Sequence, residues 1–380
     1  MAKDNLGLDG PEPAVWLKRV EAELDNLRAA MALALAEGVD PVIAVKFAVA
    51  LQGFWILRSY ATEGRRLVKA ALARPAVESS SLAKAHALYV GAVLAESQSD
   101  HPEARRMLEI CLALRRELGD PQSTAATLAI LSSARLQAGD AVGAGADENE
   151  ALELFRQGGD HDGEAISLLH LGQIAIYEAN HELARSYLQQ SLTIARRLER
   201  REVVADCELT LGEVDLEEGN ATAAREHFDR SLTVCREAAN KRGEANALWW
   251  LGKADLHACN ARGARPQLVE ALKEFRAADM WKELLGCLED HAVLAHLEGS
   301  AEAAVRIAAT ATVARQRLGL AHSPLAEQHW QDSLVALRAS LSTEAFGAAW
   351  KEACDLWQVE DAVRTALTAD RRSGAKPALK

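Results

Sequence analysis

Glu208-Leu209-Thr210-Leu211-Gly212, followed by Ala224-Arg225-Glu226-His227-Phe228, is the stretch on which the fold turns. The same spacing recurs 40 residues to either side: Leu168-x-x-Leu171-Gly172 precedes Ala184-x-x-x-Leu188, and Leu248-x-x-Leu251-Gly252 precedes Ala264-x-x-x-Leu268. Helix-breaking steps keep the same 40-residue interval at Gly139-Asp140, Asn180-His181, Gly219-Asn220, Asn260-Ala261 and Gly299-Ser300. A fixed period of this size denotes stacked helix-turn-helix units. Each unit buries its apolar stripe only against its neighbours, and the inner surface of the stack is left for binding.

The outer breaks repeat as well, at Gly119-Asp120, Gly159-Asp160, Asn240-Lys241, Asp279-Met280 and Leu318-Gly319. Each unit is therefore predicted to hold two helices of about 17–18 residues joined by very short turns. In this reading the leucine is the packing knob, the glycine lets the paired helix come close, and the alanine sits where the two helices cross. The arrangement resembles the tetratricopeptide pattern, W-x-x-L-G-x-x-Y then A-x-x-x-F. It departs from it in lacking the aromatic after the glycine (Ala175, Asp215 and Asp255 stand there) and in the longer period. Longer helices account for the difference better than a HEAT or armadillo assignment does. The predicted fold is all-α, a right-handed superhelical solenoid of tetratricopeptide-like repeats.

Around the repeats the sequence predicts a flexible lead-in over 1–11, a helical entry bundle over 12–79 and six repeats over 80–319. A C-terminal helical cap over 320–370 and a disordered tail over 371–380 complete the division. Apolar residues from Val15 to Leu35 recur at three- and four-residue steps, which predicts one helix from Glu12 to about Glu37. Asp40-Pro41 then starts the next, and the Phe54-Trp55 cluster reads as core of the entry bundle.

Composition excludes several classes. Hydrophobic content of 49% is too high for a disordered chain. No apolar run reaches the roughly 20 residues of a spanning helix, and Met1-Ala2-Lys3-Asp4 does not open a secretory signal, so a cytoplasmic protein is expected. Six scattered cysteines without a C-x-x-C pair fit buried thiols in a reducing compartment. A net charge of −12 repels phosphate backbones, so no direct nucleic-acid partner is expected, and no membrane partner either. No G-x-x-x-x-G-K-[ST] loop is present to cradle a nucleotide. The eleven histidines show no H-E-x-x-H or other i, i+4 ligand spacing, and there is no G-x-S-x-G elbow. No metal, no cofactor and no catalytic residue is expected; an enzyme with a groove active site ranks last among the readings.

Three further stretches carry a more specific resemblance. They are Trp16-Leu17-x-x-Val20-Glu21-x-Glu23-x-Asp25-Asn26-Leu27-Arg28-Ala29-Ala30, Phe54-Trp55-x-x-Arg58-x-Tyr60-x-x-Glu63-Gly64-Arg65-Arg66-Leu67, and Glu344-Ala345-Phe346-Gly347-Ala348-Ala349-Trp350 with its sequel Val359-Glu360-Asp361-Ala362-Val363. Together they resemble the helical-repeat sensor region of bacterial STAND-class signal-transduction ATPases, many of which are transcriptional regulators. The resemblance implies a sensor arm without its own ATPase, acting on an ATPase or DNA-binding module in cis or in trans. A free-standing scaffold or a peptide-receptor repeat protein is the alternative.

In tetratricopeptide superhelices the first helix of each unit lines the concave face, and the resemblance carries that face onto four columns here. They run Ala129, Leu169, Leu209, Trp249, Glu289; Ser133, Gln173, Glu213, Lys253, Val293; Gln137, Tyr177, Glu217, His257, Leu297; and Ala126, Ile166, Asp206, Asn246, Gly286. Polar and aromatic groups gather in the middle units: Gln173, Tyr177, Asp206, Glu213, Glu217, Asn246, Trp249, Lys253 and His257. Aromatic anchors supply buried area while polar groups fix orientation, so a protein, peptide or small effector is the expected ligand of this groove. Tyr89, Glu96, Arg135 and His170 are weaker candidates nearby.

Overall fold

The computed structural model describes residues 13–368 apart from 59 and 99, so the expected lead-in over 1–11 and tail over 371–380 lie outside the described residues. Twenty helices and no strand are present among the described residues. The first five are α1 (Pro13–Ala22), α2 (Leu24–Ala34), α3 (Val42–Leu57), α4 (Ala61–Leu72) and α5 (Pro75–Glu78). The series continues as α6 (Ser81–Glu96), α7 (His101–Glu117), α8 (Pro121–Gln137), α9 (Ala141–Gly158), α10 (His161–Tyr177), α11 (His181–Arg197) and α12 (Arg201–Glu217). Then come α13 (Ala221–Glu237), α14 (Lys241–His257), α15 (Ala261–Ala277), α16 (Trp281–Leu297) and α17 (Ala301–Leu318), and last α18 (Pro324–Ala339), α19 (Thr343–Leu356) and α20 (Val359–Thr368). None is long and apolar enough to cross a membrane.

The turns explain the period. Residues with left-handed φ occur every 20 positions: Gly119, Gly139, Gly159, Ala179, Glu199, Gly219, Ala239, Cys259, Asp279, Gly299 and Gly319. Around Gly159, the amide of Gly159 bonds to the Arg156 carbonyl (3.2 Å) and that of Asp160 to the Phe155 carbonyl (2.9 Å). This pair of bonds is a Schellman C-cap, which satisfies the last carbonyls of the outgoing helix. Asp160 is also the N-cap of the next helix, its carboxylate accepting from the Gly163 amide at 3.0 Å. One residue thus closes one helix and opens another. Asp120, Asp140, Asn240 and Asn260 repeat the device with the amides of Ser123, Gly143, Gly243 and Gly263.

Packing follows the repeat. Ala104, Ala144, Ala184, Ala224, Ala264 and Ala304 are all fully buried, as expected where helices cross. A Cβ added to Gly212 would stand 2.5 Å from the Phe228 ring and 3.0 Å from the Ala224 carbonyl; at Gly252 it would stand 2.6 Å from Leu268. The glycine is therefore the site of close helix approach. The missing aromatic has a replacement, too. Asp215 and Asp255 are buried and receive the guanidinium groups of Arg185 (2.6 Å) and Arg225 (2.8 Å) from the second helix of the preceding unit. An inter-repeat ion pair stands where the usual pattern has a ring.

One expectation is corrected. The predicted single helix from Glu12 to Glu37 is broken at Glu23 (φ −100°, ψ 8°), giving α1 and α2 with bonds Glu23 N–H to Arg19 and Leu27 N–H to Glu23 bridging the step. Phe54 and Trp55 are fully buried core, as the sequence reading has it.

The chain divides into two compact units, Met1–Glu178 with Ser186–Val203, and Ala179–Arg185 with Val204–Lys380. In the first, α6 to α9 pack consecutively around Leu108, Leu128 and Leu131. In the second, α13 to α17 do so around Phe228, Leu268, Phe275 and Leu288, and α18 to α20 pack onto α16 and α17.

Candidate functional site

Gln173 and Tyr177 belong to the first unit and the other seven candidate residues to the second, where α12, α14 and α16 carry the groups that converge. The nucleus is Trp249. Its ring packs onto Gly286, where an added Cβ would stand 2.7 Å from the indole. It meets Phe275 edge-on at a centroid distance of 5.6 Å, lies 5.9 Å from Trp250, and donates its Nε1–H to the Asp290 carboxylate at 2.6 Å. Trp250 in turn stacks on Phe228 at 5.7 Å. The indole of Trp249 is therefore fixed by packing on three sides and by one charge-assisted hydrogen bond.

Lys253 lies over this aromatic pair, its ammonium 4.4 Å from the Trp250 ring centre and 5.3 Å from that of Trp249. It makes no ion pair within 4.0 Å among the described residues. The carboxyls of Glu213, Glu217 and Asp290 stand close enough to sense its charge, and all three are half-buried. Burial raises each of them above the ordinary carboxylate range, against the opposing pull of Lys253. For Glu217 burial comes first and the neighbouring Glu213 charge second; together they bring it to about 7. His181 Nε2 lies 3.7 Å from Glu217. Chemically, a cation on an aromatic shelf with half-desolvated acids beside it can pair with a zwitterionic or amide-rich molecule. Among the described residues there is no cluster of three or more potential metal ligands.

The structure thus brings together Glu213, Glu217, Trp249 and Lys253. Asp206 and His257 are exposed and Asn246 half-buried on the same two helices, α12 and α14. Tyr177 is half-buried, with its hydroxyl beside the Gly139 turn, and Gln173 is exposed. The weaker candidates serve local pairs: Tyr89 covers Arg115 at 4.3 Å, Glu96 meets His101 at 3.0 Å, Arg135 meets Asp147 at 3.2 Å, and His170 meets the fully buried Glu148 at 3.1 Å.

Three site residues were not singled out from the sequence. Asp290 lies one position beside the column that holds Glu289, Trp250 one beside Trp249, and Gly286 passed as a filler in the fourth column. Glu289, which the columns place on the lining, is instead buried, bidentate to Arg315 at 2.8 and 3.1 Å and bonded to His322 Nε2 at 2.9 Å. An arginine 26 residues downstream is invisible to a reading made along one helix face.

No family model and no curated protein matches the chain. Solved structures do. The chain is similar to a Rap protein complexed with Competence and Sporulation Factor, with a TM-score of 0.62 at 12% identity over 93% of this chain and 96% of that one. It is similar to NprR in complex with its cognate peptide NprX, with a TM-score of 0.56 at 14% identity over 71% and 78%. The apo form of the quorum sensor NprR from B. thuringiensis gives 0.51 at 12% identity over 88% and 96%. At these identities the likeness is one of fold, and the chain is an all-α protein of tetratricopeptide-like helical repeats.

Proposed function

We propose that this chain is a non-enzymatic sensor module that recognises a peptide on the face formed by α12, α14 and α16. One observation carries the reading: Lys253 holds an ammonium with no ion-pair partner among the described residues on the Trp249–Trp250 shelf, beside the half-buried carboxyls of Glu213, Glu217 and Asp290. A peptide offers both charge signs and backbone amides at short spacing, and so matches such a face better than a purely apolar ligand does. The Rap and NprR structures support the reading, since on a similar fold NprR is in complex with its cognate peptide NprX and a Rap protein is complexed with Competence and Sporulation Factor. The resemblance to STAND-class sensor arms adds the output: ligand binding shifts the arm between populations and biases an ATPase in cis or in trans. A cytoplasmic location fits that role.

The test is tryptophan fluorescence of the full chain titrated with a mixed-sequence peptide library and then with its active fractions. Binding by the wild type should be lost in Trp249→Ala and Lys253→Glu, both of which keep their helical circular dichroism. Equal binding by all three proteins would remove this face from consideration.

A further inference from the structure

The same relation between two positions recurs in three hairpins. A residue on the lining face of the first helix covers the residue 26 positions later, near the end of the second. Trp249 meets Phe275 edge-on at 5.6 Å, Glu289 grips Arg315 through two hydrogen bonds, and Tyr89 lies over Arg115 with the guanidinium 4.3 Å from the ring centre. In two of these hairpins the covered residue is an arginine. Arg315 has its carboxylate. Arg115 does not.

Arg115 is 1% exposed, and its Nη1 donates to the Ser123 carbonyl (2.7 Å) and to Thr127 Oγ1 (2.6 Å). Its Nε and Nη2 are buried without a hydrogen-bond partner among the described residues. Asp120 stands close enough to feel the Arg115 charge, but its carboxylate caps the Ser123 amide and makes no hydrogen bond to the guanidinium among the described residues. A guanidinium carries five donors and a full charge, and burying it without an anion costs several kcal/mol. The ring of Tyr89 and the C-terminal end of α7 offset part of this cost but supply no acceptor for the two free nitrogens. The place where an acceptor belongs is known from the last hairpin: it is the place the Glu289 carboxylate takes, reached from the lining face. In the first unit Tyr89 occupies that approach, and His86 lies one turn away on the same face of α6.

We infer that Arg115 is the floor of an anion subsite in the first unit, which takes one carboxylate or phosphate group when the Tyr89 ring swings aside. A ligand group entering there makes the fork-to-fork contact that Glu289 makes with Arg315. The subsite is made of first-unit residues alone and stands or falls independently of the Trp249 face.

The test is the melting temperature of the full chain in sodium acetate and in sodium phosphate, each against sodium chloride at equal ionic strength. The wild type should melt higher in at least one of the two, and which one identifies the source of the anionic group. Tyr89→Ala, which opens the approach, should respond at about tenfold lower anion concentration. Tyr89→Glu copies Glu289 and fills the subsite from within, so it should lose the response, as should Arg115→Gln. Should Arg115→Gln fail to fold, Tyr89→Glu carries the test alone. No response in the wild type and in Tyr89→Ala overturns the inference. So does an equal response in Tyr89→Glu, which means an adventitious ion only.

Discussion

Gly286→Ala separates the energetics of a helix from the energetics of the site. Gly286 lies inside α16 with ordinary helical geometry, so on backbone grounds alone alanine should stabilise the protein by about 0.8–1 kcal/mol. The methyl group, however, would stand 2.7 and 2.8 Å from two carbons of the Trp249 ring, closer than carbon atoms pack. The ring has little freedom to retreat, because Phe275, Trp250 and the hydrogen bond to Asp290 hold it. Overpacking of this kind costs roughly 1–3 kcal/mol, and loss of the charged hydrogen bond would add about 1.5. With both terms counted and the helix gain subtracted, the substitution should destabilise by about 1.5–3.5 kcal/mol. In a Trp249→Ala background the obstacle is gone, and the same change should stabilise by just under about 1 kcal/mol. Urea denaturation followed by circular dichroism measures all four corners of the cycle. Stabilisation by Gly286→Ala in the wild-type background would refute the reasoning, since it would mean that the Trp249 ring is not seated as described.

Other consequences are open to measurement. Glu217 titrates near 7 in the folded chain against an ordinary 4.5, so the folded state binds the extra proton and stability should fall as pH rises from about 4.5 to 7, then level off. Glu217→Gln should flatten that slope and be more stable above pH 7 by on the order of 1–3 kcal/mol, read from urea midpoints across the range. Gly159→Ala puts a side chain into a left-handed turn and should lower stability by about 1 kcal/mol, whereas Gly145→Ala, inside α9 with open space around it, should raise it by just under that amount. Arg225→Ala leaves the buried Asp255 with Asn260 as its one side-chain donor among the described residues and should cost about 1–3 kcal/mol in thermal or chemical unfolding.

Much of the architecture was legible because it rests on one-dimensional regularities. The alanines from Ala104 to Ala304 and the glycines Gly212 and Gly252 sit where a helix pair touches, and contact at a fixed place in each repeat leaves a fixed residue type in the sequence. Less legible were features set by a partner elsewhere. Glu199 takes the left-handed turn conformation without being glycine, and Arg200 follows it where Asp or Asn stands after most other turns, so nothing in the sequence marks that turn; those at Ala239, Cys259 and Asp279 were legible from Asn240, Asn260 and Asp279-Met280. Asp215 and Asp255 read as a departure from the repeat pattern until Arg185 and Arg225 of the neighbouring helix are seen to meet them. The site shows the same limit. The columns place Trp249 and Lys253 side by side, but do not reveal that Trp249 is held by Asp290 and Gly286, nor that Glu289 is withdrawn from the lining by Arg315.

The central claim is that a peptide is read by the face of Lys253 and Trp249. It is tested most directly by mass spectrometry of the peptides that the full chain retains from a random-sequence library. Wild-type protein should retain a restricted set whose members share a sequence feature, and Lys253→Glu, folded by circular dichroism at the assay temperature, should lose that set. Retention of the same peptides by both proteins, or of none by either, would contradict the account.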